Sequence, residues 1–115
     1  VIVSNTSDSS RETLKNIQGH QKGGLSGKPI EKKSNILISK FFKILNRKVK
    51  IIGVGGVDSG KSAYEKFCAG ANYIQLYTGM VFQGPNIVFK IKKELKELLL
   101  KDGVKNFTDI IGKKT

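Results

Sequence analysis

Three short runs of polar or small residues each follow an apolar run that predicts a buried strand. They are Ser4-Asn5-Thr6, Gly55-Gly56 and Tyr77-Thr78. An asparagine amide and hydroxyl groups can hydrogen-bond a polar small molecule, and glycine lets the backbone approach a ligand closely. In sheets of parallel strands, ligands bind at the carboxyl ends of the strands. We therefore expect the chemistry of this chain at these three runs.

Residues 55–62 also match the P-loop pattern G-x-x-x-x-G-K-[ST], between a predicted strand and a predicted helix. In a P-loop, backbone amides hold the phosphates; here Lys61 would contact them and Ser62 would bind Mg²⁺. A P-loop enzyme also needs a strand ending in Asp to hold the metal. The next predicted strand ends in Tyr77-Thr78, and the chain has no Asn-Lys-x-Asp motif to bind a base. A P-loop nucleotide-binding fragment is therefore the second hypothesis. Otherwise, Lys61 and Ser62 are solvated residues of a first helical turn.

The elements that would position these residues alternate between strands and helices. Strands are predicted at residues 1–5, 49–54 and 71–77, and helices at 33–47, 59–69, 85–101 and 108–111. Residues 6–32 are polar and rich in glycine, which indicates a long functional loop. Residues 78–84 indicate a loop or short turn. Apolar strands that alternate with amphipathic helices indicate an α/β fold with a parallel sheet and right-handed crossovers.

Helical spacing of apolar residues predicts the buried faces of two of these helices. Ser34 is the expected N-cap of helix 33–47. The residues expected on its buried face are Ile36, Leu37, Phe41, Ile44 and Leu45. Those expected on the buried face of helix 85–101 are Val88, Ile91, Leu95 and Leu98. Gly70 is expected to end helix 59–69, because glycine readily adopts the positive φ that often follows a helix.

The composition excludes several classes of protein. The 115 residues include one cysteine, Cys68, and one histidine, His20, which excludes an intramolecular disulfide and a cysteine-based zinc site. We expect Cys68 to be a small packed hydrophobe and His20 to be solvated. No apolar run of the sequence approaches the ~18–20 residues of a membrane span.

The chain is strongly basic, with 21 basic and 9 acidic residues and a formal net charge of +12. Such a charge can indicate binding to nucleic acid or to an anionic membrane. The lysines are dispersed over residues 33–50, the helix face at 90–101 and the C-terminus, and no nucleic-acid-binding motif is present. We interpret them mainly as solvated helix faces and expect no nucleic acid partner. A basic, non-catalytic interaction module is the third hypothesis.

Eight segments occur in the order and spacing of one enzyme family. They are 3–6, 23–29, 51–60, 63–66, 69–71, 75–78, 82–85 and 109–112. Together they resemble the C-terminal part of a dihydroorotate dehydrogenase. The form Gly-Gly-Leu-Ser-Gly-Lys-Pro at residues 23–29 is similar to that of the membrane-associated, quinone-dependent class 2 enzymes rather than the soluble fumarate- or NAD-linked classes.

The resemblance implies a fold and an activity. That family folds as a (β/α)₈ TIM barrel that holds FMN, and the chain would supply about strands 6 to 8 with their helices. Residues 1–115 would be the C-terminal portion of one FMN-binding domain, with the N-terminal two-thirds absent. Val1 lies inside a predicted strand, which favours a cut edge. The parent enzyme would oxidise dihydroorotate to orotate with quinone as electron acceptor, in de novo pyrimidine (UMP) synthesis.

The resemblance also implies roles for individual residues. Asn5 and Thr6 match residues that bind dihydroorotate or orotate. The residues that match FMN contacts are Ser4, Ser26, Gly27, Gly55, Gly56, Tyr77 and Thr78, of which the last four would lie near the phosphate. Met80, Val81 and Pro85 match the stretch near the quinone tunnel. No metal site is implied.

The resemblance places several parts of the enzyme outside this chain. The family's catalytic base, a serine in this class, would precede Val1, so no catalytic residue is expected among residues 1–115. The chain alone is expected to be inactive and not to retain FMN. Membrane association would come from the missing N-terminal region. The expected location is the mitochondrial inner membrane in a eukaryote, and otherwise the cytoplasmic membrane.

Overall fold

The computed structural model describes residues 1–9, 14–16, 18 and 21–115. The expectation that His20 is solvated lies outside the described residues. So does the part of the predicted long loop that covers residues 10–13, 17 and 19.

Three short strands form the sheet of the described chain. They are β1 (Ile2–Val3), β2 (Ile52–Val54) and β3 (Tyr73–Gln75), all parallel and in the order β1-β2-β3. Ile2 lies opposite Ile52, and Gly53 lies opposite Ile74. Each strand falls inside a predicted apolar run, so the predicted parallel sheet is confirmed. The carboxyl ends of the three strands therefore lie along one edge of the sheet.

Helices connect and follow the strands. The α-helices of the described residues are α1 (Glu31–Leu45), α2 (Gly60–Cys68), α3 (Thr78–Gln83) and α4 (Ile87–Lys101). Short 3₁₀ helices cover Lys28–Ile30 and Phe107–Ile110. Among these helices none has both the length and the apolar character needed to cross a membrane. Lys92, Lys93 and Lys96 of α4 are exposed, as expected for a solvated helix face.

Buried apolar residues hold the helices to the sheet in three clusters. Val3, Ile38, Ile51, Ala69 and Ala71 form the first, and Val57, Ala63, Ile87 and Ile91 form the second. Phe67, Cys68, Ile110 and Ile111 form the third, which we call the C-terminal cluster. The predicted face of α4 is confirmed at Ile91, and Ile87, one turn earlier, is more deeply buried. Cys68 is fully buried, as expected, and burial raises the pKa of its thiol.

The predicted buried face of α1 is confirmed at Phe41 and Leu45 and is wrong at Ile36, Leu37 and Ile44. Ile36 is exposed and Ile44 is 77% exposed, whereas the residues that face the core are Ser34 and Ile38, with Phe41, Phe42 and Leu45 packed beside them. Ser34 is also not the N-cap, because the helix begins at Glu31 and Ile30 occupies the cap position. Ser34 faces the core and hydrogen-bonds the backbone of β2. The buried face of α1 is therefore rotated about the helix axis by about 90° from the predicted apolar face.

Residues 78–83 form helix α3, which corrects the predicted loop or short turn at 78–84. The helix has six residues, includes Gly79 and has no side-chain N-cap, so the usual signals of a helix are missing from its sequence. It ends at Gly84, whose φ is +80°. Gln83 ties it to the turn after β2, because its Nε2 donates to the Asp58 carbonyl at 3.0 Å.

Candidate functional site

Residues from all three strand ends line a single pocket of about 730 Å³. Every residue that the sequence analysis assigned to substrate or FMN lines it: Ser4, Asn5, Thr6, Ser26, Gly27, Gly55, Gly56, Tyr77 and Thr78. Residues separated by up to about seventy positions in sequence are thus brought to one place by the parallel sheet. Met80, Val81 and Pro85 are exposed and do not line this pocket.

The end of β1 is joined to the end of β2 through one carbonyl oxygen. The Ser4 amide donates to the Val54 carbonyl at 3.3 Å, and the Ser34 hydroxyl donates to the same oxygen at 2.6 Å. Asn5 and Thr6 follow on the exposed side, where Asn5 Oδ1 accepts the Thr6 amide at 2.8 Å. That bond fixes the orientation of the Asn5 carboxamide, a group that carries both hydrogen-bond donors and an acceptor.

The segment after residue 24 returns to the strand ends. Ser7 and Leu25 form an antiparallel bridge, with the Ser7 amide donating to Leu25 at 2.9 Å and the Leu25 amide donating to Ser7 at 2.7 Å. One residue later, the hydroxyls of Ser26 and Thr78 lie 2.8 Å apart and share a hydrogen bond. These contacts bring residues 25–27 across from the end of β1 to the end of β3. Only the family resemblance predicts that these residues lie beside the strand ends.

Two glycines of the pocket have backbone positions that a side chain would disturb. Gly27 has φ +77°, and a Cβ there would lie 2.9 Å from Cγ2 of Thr78. Gly56 also has φ +77°, and a Cβ there would lie 2.4 Å from Cβ of Glu31 in the first turn of α1. Glycine thus lets residues 26–27 approach Thr78, and lets α1 pack against the outside of the turn that lines the pocket.

Charged groups at one side of the pocket were not found by sequence analysis. Lys28 Nζ lies 2.5 Å from Glu31 Oε2 and 3.4 Å from Asp58 Oδ1, and both Lys28 and Asp58 line the pocket. The hydrogen bond to Glu31 raises the pKa of Lys28, and the charges of Glu31 and Asp58 add to that effect. The ammonium therefore stays charged at neutral pH. Because 30 residues separate Lys28 from Asp58, no local pattern pairs them.

In the turn that matches the P-loop pattern, the chain's own side chains accept the amides of Asp58, Ser59 and Gly60. Ser62 Oγ accepts the amides of Asp58 and Ser59, each at 3.0 Å, in a capping box with Ser59. The Gly60 amide donates to Glu94 Oε2 at 2.6 Å. Ser62 is 1% exposed, which corrects the expectation that it is solvated, whereas Lys61 is exposed as expected. The first turn of α2 is therefore closed by the chain's own side chains, and this geometry opposes the P-loop hypothesis.

Within the residues that the structure describes, no three His, Cys, Asp or Glu side chains group closely enough to hold a metal ion. The pocket offers hydroxyls, side-chain amides, glycine backbone and the charged groups of Lys28 and Asp58. That set of groups suits an organic ligand with several polar atoms.

Comparison with known proteins identifies the family. The family model for dihydroorotate dehydrogenase matches residues 1–99. The dihydroorotate dehydrogenase (quinone) of Bartonella tribocorum is 46% identical over 110 residues, which cover 95% of this chain and 30% of that protein. The mitochondrial dihydroorotate dehydrogenase (quinone) of Mus musculus is 42% identical over 112 residues, covering 97% of this chain and 28% of that protein.

Solved structures agree with the sequence matches. The crystal structure of a ligand-free DHODH from Eimeria tenella superposes with a TM-score of 0.93 at 38% identity, covering 97% of this chain and 31% of that chain. The chain thus spans about 30% of the length of the relatives it matches. Its parallel α/β fold is that of part of a (β/α)₈ barrel, as the resemblance implied. The chain belongs to the dihydroorotate dehydrogenase family.

Proposed function

We propose that this chain forms the C-terminal part of a quinone-dependent dihydroorotate dehydrogenase. That enzyme would oxidise dihydroorotate to orotate in pyrimidine synthesis, with FMN as cofactor and a quinone as electron acceptor. The relatives from Bartonella tribocorum and Mus musculus are both named dihydroorotate dehydrogenase (quinone). The observation that carries the proposal is that all nine residues assigned to substrate or FMN line one pocket. Because the chain spans about 30% of these relatives, the activity belongs to a longer protein.

The pocket is suited to FMN. Its volume of about 730 Å³ lies within the roughly 300–1,000 Å³ of sites for cofactors and small molecules. Ser26 and Thr78 provide hydroxyls, and glycine at positions 27 and 56 allows the close packing that brings these residues to the pocket. We assign Gly55, Gly56, Tyr77 and Thr78 to the phosphate end, because barrels of this type often bind phosphate in the loops after their last two strands. Ser4, Ser26 and Gly27 would contact the rest of the cofactor.

Asn5 and Thr6 would bind the substrate. The Asn5 carboxamide, held by its bond to the Thr6 amide, presents a fixed hydrogen-bonding group beside the end of β1. Both residues are exposed, so a ligand in the pocket can contact them. When bound, FMN supplies the hydride acceptor for dihydroorotate oxidation. The role of this chain is to orient the substrate ring, while the serine base would come from the part of the enzyme that precedes these residues.

We further propose that the complete enzyme associates with a membrane through a region outside this chain. The relatives from Mus musculus and Arabidopsis thaliana carry the word mitochondrial in their names, whereas those from Bartonella are bacterial. In a eukaryote the location would be the mitochondrial inner membrane, and otherwise the cytoplasmic membrane. The quinone would approach near Met80, Val81 and Pro85, which are exposed beside the pocket residue Phe82.

The substrate role is tested by Asn5→Ala in a full-length dehydrogenase that carries this chain as its C-terminal part. We expect turnover of dihydroorotate to fall at least about tenfold, because a positioned hydrogen bond worth about 1.4 kcal/mol is lost. The protein should keep its FMN absorbance. Asn86→Ala, an exposed asparagine outside the pocket with no side-chain cap hydrogen bond, is the matched control and should leave turnover unchanged. Unchanged turnover in Asn5→Ala would remove the substrate role.

A further inference from the structure

Lys66 of α2 is the largest side chain in the described chain that is fully buried, with 0% of its surface exposed. Its aliphatic part lies against β2. A Cβ on Gly53 would lie 2.9 Å from both Cγ and Cδ of Lys66, so glycine at that position makes room for the lysine. The site described above does not use this ammonium. A buried charge is unfavourable unless its environment satisfies it.

Two side chains of α1 accept hydrogen bonds from the Lys66 ammonium. Nζ donates to Asn35 Oδ1 at 2.8 Å and to Ser34 Oγ at 3.2 Å. The salt bridges in the described residues involve other lysines, and the acidic group that acts on Lys66 is Glu31, also of α1. Burial lowers the pKa of Lys66 to about 8, and the charge of Glu31 partly opposes that shift.

The bond to Ser34 has a consequence for the direction of the serine hydroxyl. Because Lys66 donates to Ser34 Oγ, the serine must direct its own proton elsewhere, and it donates to the Val54 carbonyl at 2.6 Å. Hydrogen bonds that follow one another in this way polarise and strengthen one another. The Val54 carbonyl also accepts the Ser4 amide at 3.3 Å. A continuous series of hydrogen bonds therefore connects Lys66 to Val54 and Ser4, which line the pocket.

We propose that Lys66 is a positioning residue for the cofactor site, acting through Ser34 and the Val54 carbonyl to hold the ends of β1 and β2 in the geometry that binds FMN. The inference rests on the proposed function, since it takes FMN as the ligand of the pocket. Packing alone does not need the ammonium, because methionine would fill the space of the stem. What the ammonium adds is a donor that fixes the orientation of the Ser34 hydroxyl. Val54 immediately precedes Gly55-Gly56, which are assigned to the FMN phosphate.

The test measures the dissociation constant of FMN by flavin fluorescence, using a full-length dehydrogenase that carries this chain. Ser34→Ala removes the central hydroxyl, and Lys66→Met removes the ammonium. We expect each to raise the dissociation constant about three- to tenfold, the effect of one lost hydrogen bond. The double variant should bind FMN no more weakly than the weaker single variant, because both changes interrupt one path.

Asn35→Ala is the matched control, because it removes the other acceptor of Lys66 and leaves the Ser34 bond to Val54 in place. It should change the FMN dissociation constant less than about twofold, even where its thermal unfolding midpoint falls as far as that of Ser34→Ala. Ser34→Cys, similar in shape but a weak donor, replaces Ser34→Ala if the alanine variant does not fold.

The outcomes separate the two proposals. An unchanged FMN dissociation constant in folded Ser34→Ala or Ser34→Cys would overturn the positioning role, as would an equal rise in Asn35→Ala. Absence of FMN binding in the unaltered full-length protein would instead overturn the proposed function and, with it, this inference.

Discussion

The two ends of the sheet differ in how closely their residues are packed. At the pocket end, Ser4 bonds to Val54 at the end of β2 and Ser26 bonds to Thr78 after β3, and Tyr77 remains 80% exposed. At the C-terminal cluster, Cys68 and Ile110 are fully buried. There the Gly112 amide donates to Phe67 at 3.1 Å, and a Cβ on Gly112 or Gly70 would lie within 2.5 Å of the Phe42 ring.

Glycine shows the difference most clearly. Gly27 and Gly112 have nearly the same φ, +77° and +78°. Gly27 makes room for a contact between a loop and Thr78 at an exposed site, whereas Gly112 makes room for an aromatic ring in a closed cluster. Substitutions at the two positions should therefore separate ligand binding from stability, and the predictions below test that separation.

The largest effect is expected for Gly112→Ala. The new Cβ would lie 2.4 Å from two ring atoms of Phe42, at a φ of +78°. We expect the free energy of unfolding to fall by about 2–4 kcal/mol, measured by urea unfolding of the full-length protein. Gly103→Ala is the matched control, because Gly103 has φ +68° and nothing within 4 Å of a Cβ, so it should lose only about 1 kcal/mol. Equal losses would show that the Phe42 contact does not matter.

An intermediate effect is expected for Lys66, which lies between the two ends. Its folded-state pKa is about 8, below the ordinary 10.5 of the unfolded chain. Between these values the unfolded chain binds the proton and the folded chain does not, so stability rises with pH. Below about pH 8 both states are protonated, and the full penalty of burying the ammonium remains. We expect the stability of the unaltered protein relative to Lys66→Met to rise by about 1–3 kcal/mol between pH 7 and 10.

The measurement is urea unfolding of both proteins across that pH range. Using Lys66→Met as the reference cancels the contributions of Lys28 and Lys114, whose pKa values are raised by their carboxylate partners Glu31 and Glu65. A difference that does not vary with pH would contradict the assigned burial of the charge.

The smallest change in stability is expected for Gly27→Ala, at the pocket end. The new Cβ would clash with Thr78 Cγ2 and break the hydrogen bond between Ser26 and Thr78. We expect a loss of about 1 kcal/mol in stability, together with roughly tenfold weaker FMN binding. Gly84→Ala, with φ +80° and open space around a Cβ, should show the stability loss without the loss of FMN affinity. If both variants bind FMN equally, the contact between residue 27 and Thr78 has no role in the site.

The strands and the pocket at their carboxyl ends could be predicted from the sequence, because both depend on local patterns. Apolar runs locate strands, and residues that follow parallel strands must meet at one edge of the sheet. The pocket formed by Asn5, Gly56 and Thr78 follows from that rule. The presence of residues 26–27 could not be derived in this way, since a hydrogen bond between side chains 52 positions apart leaves no local pattern.

The errors at Ser34 and Ser62 have a common physical origin, because both are polar groups that are buried and satisfied. Sequence patterns predict an N-cap at Ser34 and, in one interpretation, a solvated Ser62, but each serine donates its hydroxyl to a backbone carbonyl. The sequence does not indicate that Lys66 is buried, because a lysine in an amphipathic helix is normally exposed. Each of these positions depends on a partner supplied by another element or turn. A count of apolar side chains cannot find such partners.

The carboxylate of Glu94 at the Gly60 amide also explains why a match to the P-loop pattern need not indicate nucleotide binding by the first turn of α2. A helix N-terminus attracts any anion, and this one has an anion that is part of the same chain. A nucleotide from solution would have to compete with a tethered group, whose effective concentration is set by the fold and not by the cell. Searches for P-loops would therefore gain specificity by asking whether a carboxylate from a later helix reaches the same amides. In this chain, the residue that occupies the helix N-terminus is Glu94, which lies 34 positions after Gly60 of the motif.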